Sequence, residues 1–214
     1  MSYGCARRCV TIMVGARYRN FGKLCKAQGK GDDALRHFAQ DVYYSSLEMG
    51  PEHPDTARGY FHMATIFYMK REVEHALALF DKVVDCWYKY LLGTGDEGMG
   101  MSEAQLQEAR GMLQFVADRR EKFLGERHIA TGEVQYTLAL LLIGMNSDHE
   151  TSLKYVKNAL SIYREQLGDD HPSSKDVQAT YDHLASTLPM EGVGGGEGSG
   201  IGAGGGDGTA AGKA

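Results

Sequence analysis

Met49-Gly-Pro-Glu-His53-Pro54, Leu124-Gly-Glu-Arg-His128-Ile129 and Leu167-Gly-Asp-Asp-His171-Pro172 decide how this chain folds. Each segment follows a helical pattern that ends in Leu or Met, and each precedes another. Glycine suits the left-handed position just past a helix. Proline suits the first turn of the next one, where a missing N–H costs little. Each segment therefore reads as a joint between two helices. Between the joints the apolar residues recur at helical spacing. Tyr60, Met63, Ala64 and Phe67 share one face of residues 57–69, and Ala76, Phe80, Val83 and Trp87 share one face of 72–92. Leu153, Val156, Ala159, Leu160 and Tyr163 do the same over 148–166. No stretch sustains the apolar/polar alternation of a half-buried strand, so the chain is expected to be all-α.

The helix pairs also match one another. Aligning Ala34, Ala76 and Ser152, each a small residue early in a second helix, brings Phe38, Phe80 and Val156 together four residues later. Twelve residues before the anchors stand Gly22, Ala64 and Leu140, and sixteen before them Tyr18, Tyr60 and Tyr136. A small residue where helices cross lets the backbones approach, and an aromatic ring fills the neighbouring gap. This resembles the tetratricopeptide pattern. The 42 residues from Ala34 to Ala76 exceed its usual period of about 34, and the longer form resembles the repeats of kinesin light chains. The expected architecture is an α-solenoid over residues 5–191 with helix pairs 5–48, 54–92 and 129–166. Residues 93–100 interrupt the period. An extra helix over 102–123, capped by Ser102 with Glu103 in its first turn, reads as a second helix without a partner. A last helix over 172–188 is expected to cap the stack.

Composition limits the remaining classes. Twelve of the 23 residues from Gly192 to Ala214 are glycine, so 192–214 is expected to be a disordered tail without a core of its own. Residues 1–31 carry seven Lys or Arg and no acid, whereas residues 32–191 carry 26 acids against 15 bases. An acid-free, Arg-bearing start suits a mitochondrial presequence or a nucleic-acid arm. The same residues complete a repeat, though, the body is acidic, and no base-reading motif accompanies them. Neither nucleic acid nor membrane is an expected partner; the longest apolar run, Leu138–Ile143, is too short to span a bilayer. Four scattered cysteines (Cys5, Cys9, Cys25 and Cys86) do not make a disulfide framework.

The candidate chemistry is sparse. Gly93-x-Gly95-x-x-Gly98 matches a dinucleotide fingerprint in letters only. That motif needs a preceding strand, and here a helix precedes it while Asp96 and Glu97 would repel phosphate. It reads as a linker. Cys5 and Cys9 could be half of a zinc site, but no second pair lies nearby, so they read as helix-face residues. His53, His128 and His171 recur at the joints and read as capping or packing groups. No nucleophile and base are placed together, so no enzyme activity, cofactor or metal is expected.

What remains is the concave groove that such stacks offer to peptides. By the alignment above, the first pair contributes Arg19, Lys23 and Lys26. The second contributes Arg58, Phe61, Thr65 and Tyr68. The third contributes Val134, Thr137, Leu141 and Met145. Arg19, Lys23 and Lys26 are four and three residues apart and so share one helix face. Either this is a solvated face, or it is a groove basic at one end and apolar at the other, fit for a segment with acidic residues followed by apolar anchors.

Tyr18-Arg-Asn-Phe-Gly22, Ala34-Leu-Arg-His-Phe-Ala-Gln-Asp-Val-Tyr43 and Gly59-Tyr-Phe-His-Met-Ala-Thr-Ile-Phe-Tyr68 resemble the tetratricopeptide half of the zinc finger MYND domain-containing protein 12 family over about residues 10–92. The resemblance implies an accessory subunit of ciliary inner-arm dynein d, a non-enzymatic scaffold in the axoneme. It implies as partners a tetratricopeptide repeat protein 29-like protein, the inner-arm dynein heavy chain and its associated subunits. The family's zinc finger stands before its repeats, and Cys5 and Cys9 do not replace it. Zinc binding is therefore not carried over, and whether the finger is missing or lost stays open. The alternative function is a cytoplasmic cargo or client adaptor of the kinesin-light-chain type.

Overall fold

A computed structural model describes residues 3–93 and 100–187, with side chains from residue 13 onward. The tail 192–214, the side chains of Cys5 and Cys9, and Gly95 and Gly98 lie outside the described residues. Eight helices account for the described chain: α1 Tyr3–Ala27, α2 Gly31–Met49, α3 Pro54–Met69, α4 Val73–Gly93, α5 Glu103–Leu124, α6 Ile129–Gly144, α7 His149–Leu167 and α8 Pro172–Thr187. They pack as antiparallel pairs in the tetratricopeptide manner, and no strand occurs among the described residues. No described helix is long and apolar enough to cross a membrane.

The three joints are built alike. Gly50, Gly125 and Gly168 hold φ of 95°, 97° and 92°, a region that favours glycine. Their N–H groups close onto the preceding helices at Ser46, Glu121 and Arg164. The imidazole Nδ1 of His53, His128 and His171 then accepts the N–H two residues on, from Asp55, Ala130 and Ser173 at 3.1, 3.2 and 3.2 Å. The hydroxyls of Thr56, Thr131 and Ser174 donate back to the carbonyls of Gly50, Gly125 and Gly168 at 2.8, 2.9 and 2.8 Å. Seven residues thus satisfy both helix ends at once. α5 begins as its sequence suggests, with a reciprocal capping box between Ser102 and Gln105.

Crossings follow the small-residue rule. A Cβ on Gly22 would lie 2.6 Å from the Phe38 ring, and one on Gly59 would lie 2.5 Å from Val42 Cγ2. Ala34, Ala64, Ala76 and Ser152 are all buried. The third pair, however, is shifted by one residue against the anchor alignment. His53 and His128 are 75 residues apart, as are Arg71 and Asn146, the left-handed residues that end the turns after α3 and α6. Ala76 and Ser152 are 76 apart because the turn before α7 holds one more residue. That residue, Asp148, has φ 48° and accepts the Thr151 N–H to start α7. The small crossing residue of α6 is therefore the buried Ala139, and not Leu140.

α5 departs further from expectation. Arg58 faces Glu108, Phe61 faces Phe115, and Tyr68 faces Phe123. The numbers rise together, so α5 runs parallel to α3 and lies beside it where the first helix of a next pair would lie. It is antiparallel to α6, as Arg110–Asp148 and Arg120–Glu133 place opposite ends together. The inserted helix therefore turns the third pair over: α6 runs against α3. It does not act as an unpartnered second helix.

Candidate protein-binding groove

α1 and α3 present their first-helix faces to one point, the imidazole of His62. It stacks on Phe38 with ring centroids 4.8 Å apart. Burial, then the charges of Lys23, Lys26, Arg19 and Arg58, lower its pKa to about 3. A buried imidazole beside four cations stays neutral. Its Nε2 is buried and makes no hydrogen bond among the described residues.

The structure divides those four cations by role. Arg19 grips the fully buried Asp41 of α2 through Nε at 2.7 Å and a second nitrogen at 3.0 Å, and it donates to the Asp55 carbonyl at 3.2 Å. Such a bidentate pair ties α1 to α2 and to the start of α3. Arg19 is therefore a structural clip and not a free groove residue. Arg58 is likewise engaged, by Asp55 at 3.1 Å and Glu108 at 3.3 Å. Lys26 has no carboxylate partner among the described residues; its Nζ donates to the Thr65 hydroxyl at 2.9 Å, and burial lowers its pKa. Lys23 is exposed and makes no ion pair among the described residues. The accessible basic ledge is thus Lys23 and Lys26 above Thr65 and His62.

The expected apolar end is not open. Val134, Thr137 and Leu141 are fully buried and Met145 is half-buried. Val134, Leu138 and Leu141 share one core with Phe80, Val83 and Trp87 of α4 and with Ala109, Leu113 and Val116 of α5. Two causes combine. The alignment was one residue out of register on α6, and α5 fills the space. α5 also covers the second pair. Phe115 meets Phe61 edge-on at 5.5 Å, and Arg119 lies 5.0 Å over the Tyr68 ring. Phe61, Tyr68, Leu141 and Met145 are therefore part of the packing of α5 and its neighbours, Thr137 is buried at the wall of a cavity further along the stack, and Thr65 is left as a buried acceptor beneath Lys26.

In the corrected register the third-pair equivalents of Arg58 and Phe61 are Glu133 and Tyr136. They line a cavity of about 420 Å³ with Asp81, Asp85 and Tyr88 of α4, Arg120 of α5 and Tyr163 of α7. Residue order alone could have found this, had the alignment been anchored on the joints instead of the second helices. Among the described residues no three His, Cys, Asp or Glu side chains gather as a metal site.

No family model matches the chain. The Clustered mitochondria protein homolog of Homo sapiens is 24% identical over 170 residues, which cover 74% of this chain and 13% of that protein. The homologs of Xenopus tropicalis and Danio rerio are 21% and 22% identical over 77% of this chain. The chain spans only 12–13% of the length of these relatives. Among solved structures, the kinesin light chain nearly identical TPR-like repeats of Podosopora anserina match at 19% identity, over 80% of this chain and 84% of that one, with a TM-score of 0.35. The described residues fold as an all-α array of tetratricopeptide-type helix pairs.

Proposed function

We propose that the chain is a non-enzymatic scaffold that captures partner proteins on its helical-repeat surface, with Lys23 and Lys26 meeting an acidic segment. The observation that carries this reading is the ledge itself: two lysines without carboxylate partners among the described residues, set on a floor kept neutral at His62. Paired charges such as Arg19–Asp41 offer a ligand little, whereas an uncompensated ammonium steers and holds a carboxylate. In its finer form the scaffold docks an inner dynein arm in motile cilia. Its partners are then a tetratricopeptide repeat protein 29-like protein and the dynein heavy chain with its associated subunits. The runs 34–43 and 59–68 support this form. A cytoplasmic cargo or client adaptor is the second reading, favoured by the match to proteins named for clustered mitochondria.

Crosslinking mass spectrometry on isolated axonemes and on cytosol separates the two. Crosslinks to dynein subunits support the first; crosslinks confined to cytosolic partners overturn it. Lys23→Glu with Lys26→Glu is expected to weaken partner capture and to flatten its salt dependence. Capture unchanged by that reversal would remove the ledge from the interface.

A further inference from the structure

The cavity between α4, α5, α6 and α7 has the chemistry opposite to the ledge. Its floor is the Arg120 guanidinium, a side chain only 1% exposed, which is held by Asp81 and Glu133 and donates to the Ala130 carbonyl. Its walls are three tyrosine rings. Tyr88 and Tyr136 face each other at 6.2 Å with planes 51° apart. Tyr136 and Tyr163 are 4% and 7% exposed. The Tyr136 hydroxyl is engaged with Thr180 at 2.9 Å. The Tyr163 hydroxyl has no hydrogen-bond partner among the described residues, although its ring lines the cavity and is more than nine-tenths buried. A hydroxyl on a cavity wall without a protein partner is free to accept a hydrogen bond from a ligand. Burial, reinforced by Glu133, raises the Tyr163 pKa, so this hydroxyl keeps its proton and offers its lone pairs.

The mouth carries three carboxylates against one guanidinium. Asp81, Asp85 and Glu133 are 60%, 43% and 49% exposed. Asp81 is taken up by Arg120, and Asp85 is shared with Lys89 at 3.1 Å outside the cavity. Glu133 is the least compensated, at 3.8 Å from Arg120. Burial raises its pKa, Arg120 opposes that shift, and Asp81 and Asp85 add to it.

We propose that this cavity receives a lysine or arginine side chain from a basic segment of a partner polypeptide. The cation would rest against the faces of Tyr88 and Tyr136, where ring quadrupoles attract it. It would donate to the Glu133 carboxylate, held only loosely by Arg120 at 3.8 Å, and to the Tyr163 hydroxyl, which has no hydrogen-bond partner among the described residues. The volume suits one long side chain and not a domain. The acidic excess of residues 32–191 favours approach of a basic segment at long range. This site is separate from the ledge and takes the opposite charge.

The test is fluorescence anisotropy on the full chain with two labelled probes, a Gly-Arg-Gly-Arg-Gly peptide and its Glu-containing counterpart. The basic peptide is expected to bind saturably at one site and the acidic one not to compete for it. Glu133→Gln is expected to weaken the basic peptide about tenfold and Tyr88→Ala by a similar factor, in line with a cation against aromatic faces. Tyr163→Phe keeps the ring, removes only the hydroxyl, and is expected to cost about threefold, a single hydrogen bond's worth. Glu74→Gln, an exposed acid on α4 away from the cavity, is expected to change nothing. Thermal melts of each variant separate lost binding from lost folding, and Asp85→Asn at the rim provides a variant with no buried change. If Glu74→Gln weakens binding as much as Glu133→Gln, the attraction is diffuse and the proposal fails. It also fails if none of the cavity variants weakens binding, or if Lys23→Glu with Lys26→Glu restores binding lost in them.

Discussion

Where α3 carries Arg58, α6 carries Glu133; where α1 carries Arg19 and α3 Phe61, α6 carries Tyr136; where α1 carries Lys23 and Lys26, α6 carries Leu140 and Ile143. The backbone around these positions is shared. The Gly50 and Gly125 joints agree in φ to within two degrees, and Gly22, Ala64 and Ala139 occupy the same crossing. A repeat therefore fixes where a side chain stands, not what it is. The first pair turns its first-helix face into a basic ledge at Lys23 and Lys26; the third puts Glu133 and Tyr136, which match Ala16 and Arg19, into an acidic, tyrosine-lined cavity.

The largest effect should come from the element that divides the two ends. Leu113 is fully buried in the core that joins α4, α5 and α6. Leu113→Ala is expected to cost about 2–5 kcal/mol, read by chemical denaturation. Loss of only a few tenths would mean that α5 is an appendage and that the halves are joined without it.

The crossings come next. In Gly22→Ala the new methyl would sit 2.6 Å from the ring of the fully buried Phe38. Overpacking of that kind costs about 1–3 kcal/mol. Gly132→Ala meets Ile162 and Tyr163 at 3.2 Å, and the helix gains about 0.5–1 kcal/mol from the exchange. The two substitutions should therefore differ in sign or nearly so, and equal melting shifts would mean that the Phe38 ring gives way to the Gly22 methyl as readily as Ile162 and Tyr163 do at Gly132.

The floor of the ledge should also respond to acid. The folded chain holds His62 at about 3, below its ordinary 6.5. As the pH falls below about 6.5, the unfolded chain takes up a proton that the folded one refuses, so stability drops by up to about 1.4 kcal/mol per pH unit. His62→Gln is expected to flatten the melting curve against pH between about 6.5 and 5. A slope unchanged by that substitution would place the acid sensitivity elsewhere. At the joints the effect is modest: His128→Ala removes one acceptor from a helix start and should cost about 1 kcal/mol, with His53→Ala alike.

The joints were legible because each is a local unit: a left-handed glycine, an imidazole acceptor and a hydroxyl donor lie within seven residues, and no distant contact is needed to close them. The helices between them were legible for the same reason. The position of α5 was not, because it follows from how Phe115 and Leu113 match surfaces on α3, α4 and α6, and helical spacing within α5 is the same for any neighbour. The register of α6 was hidden by a single residue, Asp148. Leu140 is apolar like its neighbours, so the apolar period looked intact when read one position out. Arg19 was read as groove because its charge was visible in the sequence and the burial of Asp41, which claims it, was not.

An odd helix between two pairs changes the parity of the array. The screw operation that carries the first pair onto the second cannot carry the second onto the third. An extended polypeptide that lay on the molecule from the lysine ledge to the tyrosine cavity would meet the first set of helices with one polarity and the last set with the reverse. Whatever binds both ends must therefore be read in opposite directions by the two halves of the same chain.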